Sequence, residues 1–226
     1  MIKSTLKFAV LKIKKRSLVL DEAITNSYLF TLCRRQICSF IRGFIHFRQF
    51  VSVGSSVSLS STSSIECGKG VSIGSFSVID GLGRQGLHIG GSSSIGSFSI
   101  IKVSGTLANL GEGIYIGSNV GIGEFAHIGG AGGVTIGDNT IAGAYLSIHP
   151  ENHIFSDLQT LIRQQGVTRK GIKIGSNCWI GAKVTILDGS IVGNGCIIAA
   201  GAVVNGIFPD DTVIGGVPSR ILKYRS

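Results

Sequence analysis

Proline is nearly missing from this chain of 226 residues, at three copies, and tryptophan and methionine occur once each. So little proline leaves the backbone donors free, as a fold made largely of paired strands demands. Acidic side chains are few, 12 against 21 Lys and Arg, giving a formal charge of +9. No reading helix or exposed aromatic platform accompanies that charge, which argues against nucleic acid as the partner. The cysteines Cys33, Cys38, Cys67, Cys178 and Cys196 are odd in number and form no Cys-x-x-Cys unit. They read as reduced core or surface residues. No apolar stretch is continuous enough to span a bilayer. The amino terminus makes no export signal either, because Lys12, Lys14 and Lys15 break its apolar run and no small-residue cleavage site follows. These absences lead to an expected cytoplasmic location, at the inner membrane face if the amino terminus meets lipid.

What is present is a beat. From Ile174 an aliphatic residue returns every sixth position, at Ile180, Ile186, Val192, Ile198 and Val204. A helix would repeat its apolar face at three and four residues and a half-buried strand at two. A period of six is the mark of a parallel β-helix, in which each short strand adds one residue to a continuous inner stack. The beat also holds at Ile116, Ile122 and Ile128, slips at Gly132 and Gly133, and resumes at Ile136, Ala142 and Ile148. A weaker version runs through Ile73 and Ile79, then Ile89, Ile95 and Ile101, interrupted at residues 81–86. Glycine, 34 of 226 residues, is about twice the roughly 7% of ordinary chains. It falls mainly just after the inward aliphatic, where a missing Cβ would permit positive φ at a corner. With 43% hydrophobic residues in register, the chain buries a core and is not a disordered glycine-rich polymer.

Charge divides the chain. Residues 1–50 hold ten Lys or Arg against Asp21 and Glu22, residues 51–160 three against seven acids, and residues 161–226 eight against three. Two basic regions thus flank a slightly acidic repeat. The expected organisation is a basic appendage at 1–50, helical or irregular, and a repeat domain at 51–226 with a loop at about 149–173. In the appendage, apolar residues between Tyr28 and Phe50 alternate with Arg34, Arg35, Arg42 and Arg48. Two readings stay open: a helix that caps the open end of the repeat, or one that makes peripheral contact with anionic lipid.

The beat stops after Ile148 and returns at Ile172 or Ile174. Connections longer than about 15 residues in a compact domain are usually functional or disordered. This one opens His149-Pro150-Glu151-Asn152-His153 and runs on to Arg163, Arg169 and Lys170. Two histidines on one excursion from a rigid scaffold is what a site would need.

The Asn152-His153 pair is followed by Asn177-Cys178-Trp179-Ile180-Gly181-Ala182, Ala199-Ala200-Gly201-Ala202-Val203-Val204 and Gly215-Gly216-Val217-Pro218-Ser219-Arg220. In this order the segments resemble the hexapeptide-repeat acyltransferases, in the branch of maltose, galactoside and polysaccharide O-acetyltransferases. The resemblance covers about residues 51–223. It implies an all-β, left-handed parallel β-helix, a homotrimer, and acetyl-coenzyme A as acyl donor in a groove between subunits. It aligns His153 with the family's catalytic histidine, with His149 the rival. It implies backbone contacts to the pantetheine arm along Gly181, Ala182, Ala200 and Gly201; the donor's phosphates need cations, for which Lys183, Arg220, Lys223 and Arg225 are candidates, Arg220 and Lys223 matching basic positions of the family tail. Asn205-Gly206 departs from the Thr-Lys common in relatives, so one contact there is lost or moved.

Chemistry agrees independently. Acetyl transfer from a thioester to a sugar hydroxyl needs a base for the hydroxyl proton, a task suited to neutral imidazole. The resemblance implies a carbohydrate acceptor, a sugar of a bacterial polysaccharide or its lipid-linked precursor, and no metal. Trp179 is expected either beside the groove or packing a corner, and Asp157 either orienting His153 or turning the chain. N-acetylation of a nucleotide-linked amino sugar is the runner-up, although residues 1–50 contain no Gly-x-Gly-x-x-Gly unit. A zinc enzyme resembling γ-class carbonic anhydrases would draw on His88, His127, His149 and His153. No pair of these has that family's spacing.

Overall fold

Each short strand of the repeat pairs in parallel with the strand one circuit further along the chain, and only two pairs among the described residues, Asn152–His153 with Val167–Thr168 and Thr212–Gly215 with Arg220–Tyr224, join sequence neighbours antiparallel. The computed structural model describes residue 21 and residues 23–226. Lys12, Lys14, Lys15 and Glu22, used above for the export and charge arguments, lie outside the described residues.

Three sheets of nine, seven and seven strands result. Face A starts with Ser52–Val53, face B with Ser58–Ser60 and face C with Ile65–Cys67. The chain visits the faces in that order on every rung of a left-handed parallel β-helix. The solenoid closes on a further face A strand, Thr212–Gly215, which Arg220–Tyr224 covers in antiparallel pairing. The six-residue beat is the inner stack: Ile174, Ile180, Ile186, Val192, Ile198 and Val204 are all at most 2% exposed.

The glycines after these residues have a different reason from the expected one. A Cβ on Gly181 would stand 2.5 Å from the Ala200 nitrogen and 2.8 Å from its Cα, on the next rung. Glycine is needed there because successive rungs pass too close for a side chain. The left-handed backbone comes two positions later and is carried by larger residues, for example Phe76 at φ 59° and Lys183 at φ 58°.

Helix α1, Asn26–Phe47, precedes the solenoid. Thr25 caps it, accepting from the Tyr28 N–H at 3.2 Å, and Arg48 ends it in the left-handed region. The helix lies against the first face A strand. Ser39 Oγ meets Ser52 Oγ at 2.6 Å, and Arg42 Nε donates to the Val53 carbonyl at 2.9 Å. A Cβ on Gly43 would overlap the Val51 carbonyl, and Phe47 packs on the core. The capping reading thus describes one side of α1.

All the long interruptions leave from one corner. They lie between Asp80 and Leu87, Lys102 and Ile114, and His149 and Ile172, each joining face B to face C. Loops stacked along one corner can brace one another.

Candidate functional site

The excursion is built from backbone upward. Asn152–His153 pairs antiparallel with Val167–Thr168, and the Ile154 N–H donates to the Gly166 carbonyl at 3.1 Å. Two side chains fix this small ladder to the solenoid. Asp188, on the following rung and 5% exposed, accepts from the Lys170 N–H at 2.8 Å and the Gly171 N–H at 2.9 Å. A carboxylate accepting backbone N–H groups forms a charge-assisted bond, stronger than its neutral counterpart. From the other side, Arg169 Nε donates to Glu151 Oε2 at 2.7 Å while its Nη1 donates to the Leu110 carbonyl at 3.2 Å. Leu110 belongs to the interruption one rung pair earlier. The excursion is therefore braced at both ends.

His153 stands exposed on this ladder. His149 is occupied: its Nε2 is 2.7 Å from Ser147 Oγ, and its ring stacks on His127 with centroids 5.2 Å apart. His127 is held below the ordinary histidine pKa, first by burial and then by the neighbouring charges of His149 and Lys102. His88 sits apart on face C, with Nδ1 3.0 Å from Glu66 Oε2 and Nε2 2.8 Å from the Gln85 carbonyl. Geometry thus separates the two histidines of the excursion, one engaged and one open to solvent.

The residues expected to hold the donor form a second group. Ala182, Lys183, Ala200 and Gly201 occupy the corner between faces A and B on successive rungs, where the Gly201 N–H donates to the Ala182 carbonyl at 2.9 Å. All are exposed, and nothing lies within 4 Å of where a Cβ on Gly201 would be. Arg220 and Lys223 are exposed on the final strand, opposite Gly215 and Val213. The structure brings the four corner residues together. It places His153 at the other corner of face B, across the width of that sheet.

Along the donor corner runs a feature that the sequence reading missed. Phe76, Phe98, Phe125 and Tyr145 stack with centroids 5.1, 5.1 and 5.0 Å apart. Lys183 continues the column, its Nζ 6.0 Å from the Tyr145 ring centroid. The signal was available as Ile73-Gly-Ser-Phe76, Ile95-Gly-Ser-Phe98 and Ile122-Gly-Glu-Phe125. The column turns from aromatic to cationic to bare at Tyr145, Lys183 and Gly201.

Other side chains settle simply. Trp179 is in a face A strand between Ile141 and Ile197, 56% exposed, so it packs no corner. Asp157 accepts from Thr160 Oγ1 at 2.6 Å and the Gln159 N–H at 2.8 Å, bonds that lower its pKa and turn its own loop. Its carboxylate makes no hydrogen bond to His153. Burial pushes the Cys67 thiol up to about 12 and the Cys178 thiol up to about 11, so neither is a nucleophile near pH 7.

The chain is similar to known proteins. The bacterial transferase hexapeptide family (six repeats) matches residues 171–206. A protein of Escherichia coli K12 named as an O-acetyl transferase of lipopolysaccharide biosynthesis is 34% identical over 123 residues, 49% of this chain and 60% of that protein. The galactoside O-acetyltransferase of the same organism is 34% identical over 95 residues, 40% of this chain and 43% of its own length. The chain thus spans less than two thirds of these relatives. Among solved structures, AntD, an N-acyltransferase from Bacillus cereus in complex with dTDP and 3-hydroxybutyryl-CoA, superposes with a TM-score of 0.53. It is 20% identical, covering 83% of this chain and 90% of that one, a likeness of fold alone.

Proposed function

We propose that this chain, a member of the hexapeptide-repeat acetyltransferases, moves an acetyl group from acetyl-coenzyme A to a sugar hydroxyl of a bacterial polysaccharide or its lipid-linked precursor. The observation that carries the reading is the exposed imidazole of His153 on an excursion braced by Asp188 and Arg169. A base whose support is rigid keeps its geometry through the reaction. The named activities of the relatives supply the class of chemistry.

In this reading neutral His153 takes the proton of the acceptor hydroxyl as its oxygen attacks the thioester carbonyl carbon. Collapse of the tetrahedral species breaks the C–S bond, and the imidazolium returns the proton to the departing sulfur. No acyl-enzyme is needed. The donor's pantetheine arm would lie along Ala182, Ala200 and Gly201, whose small or absent side chains leave the wall open. Its phosphates would meet Lys183, Arg220 and Lys223. Because His153 and this wall occupy opposite corners of face B, the complete site takes each from a different copy, as in a homotrimer.

The test is acetyl transfer by the full chain to a panel of glycans, read by thiol release and by the product. Release of the new acetyl group by mild alkali marks an ester, whereas a stable amide would assign N-transfer. His153→Ala should lose turnover while donor affinity persists. Full activity in that variant would remove the proposed base.

A further inference from the structure

Helix α1 has a second apolar side that its capping role leaves unused. Ser39, 7% exposed and bonded to Ser52, and Gly43, close on the Val51 carbonyl, mark the side that meets the solenoid. Phe30, Ile37, Ile41, Phe44 and Ile45 are instead 65, 61, 55, 54 and 65% exposed. At 100° per residue these five fall within one stripe, turned well away from the packed side. A monomeric surface seldom leaves so many large apolar side chains side by side.

Charge identifies the occupant. From Asn26 to Gln49 the chain carries Arg34, Arg35, Arg42 and Arg48 and no carboxylate. Arg34 falls within the stripe by helical position, and Arg34, Arg35 and Arg48 are all exposed. Just beyond the helix, exposed Phe50 sits under Lys69, whose Nζ is 5.9 Å from the ring centroid. Contact between copies of this helix would bring arginines together with no local acid to neutralise them. A leaflet of anionic lipid supplies both an apolar layer for the stripe and negative headgroups for its flanks. No helix among the described residues is long and apolar enough to cross a membrane. We infer that the outward side of α1 docks the protein on an anionic bilayer surface, the helix lying in the interface while its other side caps the solenoid. This inference is independent of the reaction assigned to the site.

The full chain is to be sedimented with phosphatidylglycerol/phosphatidylcholine vesicles and with phosphatidylcholine vesicles alone, at low and physiological salt. Binding is expected to the anionic vesicles only and to weaken with salt. The triple variant Ile37→Ser, Ile41→Ser, Phe44→Ser and the charge variant Arg34→Glu, Arg35→Glu should each lower the partition coefficient at least tenfold. Both should keep the parent's elution volume in gel filtration. The substituted arginines are surface residues, so the charge variant carries the test if the triple variant misfolds. No binding to anionic vesicles, or binding that survives both variants, would overturn the inference. So would a smaller assembly in the triple variant, which would assign the stripe to contacts between copies.

Discussion

Asp188 holds the base of the excursion from the following rung. Its carboxylate accepts from two consecutive N–H groups, of Lys170 and Gly171. Asp188→Asn puts an amide where both donors need acceptors, a loss of about 1.5–3 kcal/mol for hydrogen bonds to a charged group. Displacement of the ladder should lower kcat by about ten- to a hundredfold, with little change in the KM for acetyl-coenzyme A. A fall in kcat matched by an equal loss of folded protein, read by circular dichroism, would mean general unfolding instead. Steady-state kinetics of His153→Ala should show a deeper effect, about 10²–10⁴-fold. A third residue gives a pH signature. The folded chain lowers the pKa of His127, so below its ordinary value of 6.5 the unfolded state takes up a proton that the folded state resists. Stability should therefore fall as pH drops from 6.5 toward the folded pKa, and His127→Asn should flatten that slope in denaturant titrations. The broken beat points to the excursion, and the Asn152-His153 pair of the resembled family singles out His153 on it. Asp188 was not legible, because Leu187-Asp188-Gly189 reads as an ordinary turn and its partners are 17 and 18 positions away.

At the scale of elements, packing distance governs. Rung-to-rung contact excludes a side chain at Gly181, and the same steric logic seats α1 through Gly43. Gly43→Ala should cost about 1–3 kcal/mol, the usual penalty of overpacking, visible as a lower Tm. A Tm equal to the parent's would mean that the helix does not rest on Val51. The aromatic column is a second element-scale device. Phe98 is stacked on both sides, by Phe76 and Phe125. At about 0.5–1.5 kcal/mol for each aromatic pair, Phe98→Ala should lower the unfolding free energy by about 1–3 kcal/mol. The inner stack was readable because one face of each strand is always buried. The first rung was harder to see: Val53, Leu59 and Ile65 keep the beat, but serines surround them where glycines mark the later rungs. The outer column is not legible in the inward beat, because its rings stand at corners three positions after Ile73, Ile95 and Ile122.

For the whole molecule, the question is how parts on different corners become one site. The period of six determined the prism, and the broken beat located the excursion. Neither could tell which corner carries which loop, since that depends on where each strand ends in three dimensions. The structure puts His153 and the wall of Ala182, Ala200 and Gly201 at the two corners of face B. On the proposed reading, a single copy holds the base and the donor wall apart, and a neighbouring copy completes each site. Mixing two inactive chains tests this directly. His153→Ala removes the base, and Ala200→Trp fills the exposed wall without touching the inner stack. Unfolded together in equal amounts and refolded as mixed assemblies, they should recover about a quarter of parental acetyl transfer, the share of sites that draw both intact elements from different copies of a symmetric oligomer. No recovery above the separate variants, despite proven co-assembly, would contradict the account.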